Sequence, residues 1–78
     1  MIGLYRHKKG NAYALLYLAT HTETLEKLAV YKALYGDGVV WCRPLEMFMD
    51  STRFTSIRPC DLAETEFDAL TYIPRAGD

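Results

Sequence analysis

Two histidines, two cysteines and a scatter of carboxylates are the groups in this 78-residue chain that could move protons, attack carbon or hold a metal. His7 or His21 with Glu23 or Glu46 would make a hydrolase-like pair, the imidazole acting as general base and the carboxylate orienting it. The spacing lends this little support. His21-Thr22-Glu23-Thr24 is no zinc motif, and neither Cys42 nor Cys60 has the close-spaced partner that structural zinc sites use. A metal site would have to gather His7, His21, Cys42 and Cys60 from separate places along the chain. Cys42 sits among apolar residues, a poor setting for a reactive thiolate. Thr20, Thr22 and Thr24 read as turn and cap hydroxyls. With no phosphate-cradling glycine loop and no dinucleotide fingerprint, the chain is assigned no catalytic residue, no metal and no cofactor.

One fixed charge stands out. Val39 to Phe48 reads VVWCRPLEMF, apolar almost throughout, with Arg43 between a cysteine and a proline. Strand alternation puts Val40 and Cys42 on one face and Val39, Trp41 and Arg43 on the other. With Val40 and Cys42 turned into the core, Trp41 and Arg43 stand side by side on the surface. The indole offers rigid area, and the guanidinium offers a planar fork for carboxylate or phosphate. The structural reading of the same arginine is an ion pair with Glu46, Glu23 or Glu26 that holds the fold closed. Tyr5, Tyr13, Tyr17, Tyr31 and Tyr35 each keep one wet end, so they either extend a surface platform or line a small core.

The expected ligand face is Tyr5, His7, Tyr31, Trp41 and Arg43, taking an anionic or carboxylate-bearing group on a peptide, protein or small molecule. A second reading places single-stranded nucleic acid, RNA in particular, on the turn Arg6-His7-Lys8-Lys9. Arg6, Lys8 and Lys9 would take phosphates there, and Tyr5 and Tyr13 would take bases. A net charge of -1 weighs against strong non-specific binding of that kind. The third reading is the small hydrolase using His7, His21 and Glu23.

These residues must be carried by one small domain. Half the chain is hydrophobic and 24% is charged, which places it among globular proteins, and no apolar run is long enough to span a bilayer. MIGLYRHKKGN has no signal-peptide apolar segment behind its charges, and two cysteines make no disulfide framework; both features suit a cytoplasmic protein with reduced thiols, a monomer or weak homodimer. Charge is unevenly spread. Up to Cys60 basic residues lead, whereas beyond it Asp61, Glu64, Glu66, Asp68 and Asp78 face only Arg75. The organisation expected is a body over residues 1–58 and an acidic appendage over 59–78 that folds back and screens it.

Thr20 to Gly36 supports two structures. Thr20 and Glu23 have capping-box spacing, with Leu25, Leu28 and Ala29 at helical intervals and Gly36 as a stop. Leu28 to Tyr35 also alternates as a strand, and Gly36-Asp37-Gly38 would turn it into Val39-Val40-Trp41-Cys42 as a hairpin. Elsewhere Leu4 to His7 and Ala12 to Ala19 read as strands around a Lys8-Lys9-Gly10-Asn11 turn. Pro44 starts one helical turn whose Leu45, Phe48 and Met49 would plug a small barrel. Arg53 to Ile57 is a last strand, and Asp61 to Leu70 spaces Ala63, Phe67 and Leu70 as a short docking helix anchored by Phe67 and Leu70.

YRHKKGNAY, ATHTETLE, VYKALYGDG and VWCRPLEMF, in this order and spacing, resemble a small family of uncharacterised bacterial domains of unknown function. The resemblance covers Leu4 to about Asp50. It implies a strand over Leu28 to Tyr35, because several members have proline at the position of Lys27, which would break the rival helix. The chain departs from the pattern at Cys42, where a valine-like residue is expected, and at Lys9, where an aromatic is expected. No activity comes with the resemblance. The expected fold is mainly β: a small SH3-like barrel of four to five antiparallel strands with one helical turn and a short C-terminal helix.

Overall fold

Gly36 and Gly38 decide the structure of the central segment. Both adopt positive φ, 56° and 67°, and reverse the chain there. The computed structural model, which describes residues 3–50 and 52–71, accordingly shows a hairpin and no helix between Thr22 and Tyr35. Two strands form it, β3 (Lys27–Ala33) and β4 (Val40–Pro44), with Tyr31 opposite Trp41 and Ala29 opposite Arg43. Of the capping-box residues, Thr20 instead ends a strand opposite Lys27, and Glu23 belongs to a tight turn closed by the His21 amide on the Glu26 carbonyl and the Leu25 amide on the His21 carbonyl.

The remaining strands are β1 (Gly3–His7), β2 (Ala12–Thr20) and β5 (Phe54–Ile57), and together they form one antiparallel sheet in the order β4-β3-β2-β1-β5. A register shift between Leu15 and Tyr17 places an extra residue in β2. Such a bulge bends the strand. Up to it the strand alternates between the two faces, Leu15 joining the core cluster on one and Leu16 packing against that on the other.

Pro44 ends β4 in an extended conformation, and the helical turn α1 (Leu45–Phe48) begins immediately after it. Phe48 is fully buried, and its ring meets Tyr5 of β1, Tyr31 of β3 and Phe54 of β5 at centroid distances of 5.3, 4.8 and 4.8 Å. One ring touches three strands only if the sheet curls around it. The curl stops short of a closed barrel, since no ladder joins β4 to β5 among the described residues and α1 bridges the two edges instead. Met49, expected to join Leu45 and Phe48 in the plug, is half exposed.

The opposite face of the sheet is covered by a 3-10 turn (Pro59–Asp61) and helix α2 (Glu64–Thr71). Leu62, Ala69 and Leu70 pack there against Leu4, Ala12, Ala14 and Leu34. Phe67, expected as an anchor, is 49% exposed. The reason is a pairing the sequence does not display: Glu66 engages Arg6, so the positions three and four residues on, Ala69 and Leu70, face the sheet while Phe67 turns away. Val40 and Cys42 also lie on this face, and both are exposed rather than in the core, because β4 is an edge strand beyond the residues that α2 covers. No helix among the described residues is long and apolar enough to cross a membrane.

Candidate functional site

The face carrying Trp41 and Arg43 is the aromatic one. Their cross-strand partners Tyr31 and Ala29 both belong to the Phe48 core cluster. Further along, the Tyr13 ring meets Tyr31 at 5.6 Å, Tyr35 at 5.5 Å and Phe54 at 5.9 Å, each edge to face. The Tyr13 and Tyr35 hydroxyls share a hydrogen bond of 2.8 Å. Burial, followed by this bond, holds the Tyr13 phenol in its neutral form well above the usual tyrosine range.

His7 closes the far end of this face. Its ring stands edge-on to Phe54 at 5.0 Å, and its Nδ1 accepts the Lys9 amide at 3.1 Å. A neutral imidazole that accepts at Nδ1 carries its proton on Nε2, and that N–H is left as a donor. Burial, then the charges of Lys9, Lys8, Arg53 and Arg43, push the histidine below its ordinary value. Those cations come from the β1–β2 turn, the residue before β5 and edge strand β4, so the curl of the sheet focuses positive charge at one place.

Arg43 differs from its counterparts. Arg6 meets Glu66 at 3.0 Å, Arg53 meets Asp50 at 3.7 Å and Arg58 meets Asp61 at 3.6 Å. Among the described residues the guanidinium of the partly buried Arg43 has no ion-pair or hydrogen-bond partner, and Glu23, Glu26 and Glu46 do not pair with it. Trp41, two residues away, is 50% exposed.

The five residues expected to form the face are thus on one side of the sheet, in different roles. Tyr31 is buried and Tyr5 packs on Phe48, so both are walls of the core. His7, Trp41 and Arg43 reach the surface at least in part. Tyr13 and Tyr35, two of the tyrosines expected to extend a platform or line the core, complete the surroundings with Arg53, which the sequence gives no reason to place there.

The nucleic-acid reading loses one of its cations. Arg6 points to the α2 face, where its guanidinium donates to Glu66 through both terminal nitrogens and to the carbonyls of Gly10 and Asp61. Lys8 and Lys9 remain exposed. The hydrolase constellation is not assembled: His7 lies beside the start of the nine-residue strand β2 and His21 follows its end. The Nδ1 of His21 is occupied by the amides of Glu23 and Thr24. Nor does the set His7, His21, Cys42 and Cys60 come together, as no three candidate ligands cluster among the described residues.

Residues 3–58 match the model of a protein family of unknown function, DUF1653. The chain belongs to that family. All five strands and α1 of this DUF1653 protein lie within the match, as do His7, Trp41 and Arg43, whereas the 3-10 turn and α2 follow it. No curated protein and no solved structure matches the chain.

Proposed function

We propose that this DUF1653 protein is a non-catalytic binding module whose aromatic face takes an anionic group, in a cytoplasmic setting compatible with its two exposed free thiols. One observation carries the reading: a partly buried arginine, Arg43, on that face with no counter-ion among the described residues, while Arg6, Arg53 and Arg58 each have one. An arginine whose planar fork is uncommitted is well suited to a bidentate anion. The His7 Nε2–H adds a neutral donor, and Lys8 and Lys9 draw the anion toward the site. Trp41 gives rigid area beside the fork, and buried Tyr31 and partly buried Tyr5 hold the core beneath it. The SH3-like likeness rests on the curled five-stranded sheet with a helical turn before its last strand.

The reading is tested by mapping amide and side-chain NMR shifts during titration with sodium phosphate and with N-acetylglutamate. Shifts are expected at Arg43, Trp41, His7 and Lys9. Shifts confined to the cleft beneath α2, which Arg6, Tyr35 and Glu66 line, would move the site elsewhere. An absence of shifts would remove the reading altogether.

A further inference from the structure

We infer that the anionic group is a phosphate joined to a planar ring, the unit found in a nucleotide. This rests on the anion-binding reading and adds the identity of the ligand class. Two features of the face go beyond what a carboxylate needs. The first is charge. One carboxylate carries a single charge and is satisfied by one guanidinium fork. Here Lys8 and Lys9 follow His7 directly, Arg53 takes the Lys8 amide on its carbonyl at 2.8 Å and precedes Phe54, the residue paired with His7, and Arg43 lies on the same face opposite Ala29; Asp50 is the carboxylate paired with Arg53 among them. A phosphate, with up to two charges and three acceptor oxygens, matches a fork, flexible ammonium groups and the Nε2–H of His7 together.

The second feature is unused ring surface. Trp41 is 50% exposed and Tyr35 41% exposed, although each sits on or beside the aromatic core. Tyr35 is held by Tyr13 through both the hydroxyl bond and an edge-to-face ring contact, so Trp41 supplies the stacking surface and the exposed part of Tyr35 only flanks it. Half-exposed aromatics next to cations are how proteins hold bases, because every base has a face to stack and stacking does not depend on sequence. The sequence has no glycine-rich phosphate motif, so the phosphate would be held by side chains.

The source of the unit is either a free mononucleotide or single-stranded nucleic acid, and one experiment separates them. The intact protein is titrated with AMP, ribose 5-phosphate, N-acetylglutamate and a hexamer of riboadenylate, following Trp41 fluorescence and the NMR signals of His7 and Arg43. AMP is expected to bind about tenfold more tightly than ribose 5-phosphate, which lacks the base. Trp41→Ala should abolish that difference and Trp41→Phe should keep part of it. A hexamer that binds more tightly than AMP, with affinity falling steeply as salt rises, identifies a strand as the source; a hexamer no tighter than AMP identifies the free nucleotide. Equal affinity for AMP and ribose 5-phosphate would overturn the planar ring and leave anion binding standing. Tighter binding of N-acetylglutamate would overturn the phosphate. No response to any of the four would overturn anion binding itself.

Discussion

The Phe48 ring stacks on that of Phe54 with centroids 4.8 Å apart and planes 24° from parallel, which ties the turn after edge strand β4 to the opposite edge strand β5. No hydrogen-bond ladder joins those edges among the described residues, so this contact and its neighbours Tyr5 and Tyr31 keep the sheet curled. Phe48→Ala should cost about 3–5 kcal/mol in urea unfolding. That is a large share of the roughly 4–12 kcal/mol available to a domain of this length. Phe48→Leu should cost less, about 1–2 kcal/mol. A loss below about 1 kcal/mol for the alanine variant would show that the curl is held by something else.

The β3–β4 turn contains two glycines with different constraints. Both have positive φ, but a side chain at Gly36 meets open space whereas one at Gly38 would overlap the Nζ of buried Lys32, which donates to the Gly38 carbonyl at 2.9 Å. Gly36→Ala should therefore cost about 1–2 kcal/mol, the backbone term alone. Gly38→Ala should cost distinctly more, because the ammonium must move as well. Equal losses in chemical denaturation would mean that the lysine yields freely.

Arg6 and Glu66 fasten α2 to the sheet. The Arg6 hydrogen bond holds the Glu66 carboxyl below its ordinary 4.5, despite partial burial and with help from the Ala63 amide. Because the folded value is the lower one, the contribution is complete above pH about 4.5 and is lost as pH falls through the folded value. Glu66→Gln should cost roughly 1 kcal/mol, between an exposed and a buried pair. Amide exchange in α2 should accelerate while that of β2 and β3 stays slow. Unchanged exchange in α2 would show that Leu62, Ala69 and Leu70 hold the helix without the ion pair.

His7 is expected to titrate below 6.5 in the free protein. Burial lowers it first, then Lys9, Lys8, Arg53 and Arg43; Phe54 packs on the ring, and Asp50 is the nearby carboxylate, ionised beside Thr52 and Arg53. The stability this histidine contributes is present above about pH 6.5 and is lost as pH drops through its lower folded value. NMR titration should find that value, and phosphate should raise it by offsetting the surrounding cations. A value at or above 6.5 without added anion would contradict the crowding of positive charge at this site.

Local chemistry made much of the fold readable. Gly36-Asp37-Gly38 specifies a reversal, Pro44 both ends a strand and opens a helical turn, and the two-residue period of Trp41 and Arg43 puts them on one face. The orientation of α2 was not readable, because it depends on Arg6 and Glu66, 60 residues apart in sequence. Helical spacing favours Phe67 as an anchor until that pair sets the rotation. The exposure of Val40 and Cys42 on β4 has a similar reason: alternation sorts residues into two faces without saying which one is covered. Tyr13 and Tyr35 meet only through the pairing of β2 with β3 and the turn beyond it, and Phe48 reaches β1, β3 and β5 only because the sheet curls.

The central claim is that Arg43 serves a ligand. The most direct measurement is isothermal titration of inorganic phosphate into the wild type, Arg43→Lys and Arg43→Ala, with thermal unfolding of each. Both variants should fold with stability within about 1 kcal/mol of wild type, since Arg43 has no ion pair to lose among the described residues. Arg43→Lys should bind phosphate at least about tenfold more weakly, because it keeps the charge and loses the fork. If Arg43→Ala unfolds the domain while Arg43→Lys restores both stability and full phosphate affinity, the arginine is there for the fold and the binding face has been assigned to the wrong residues.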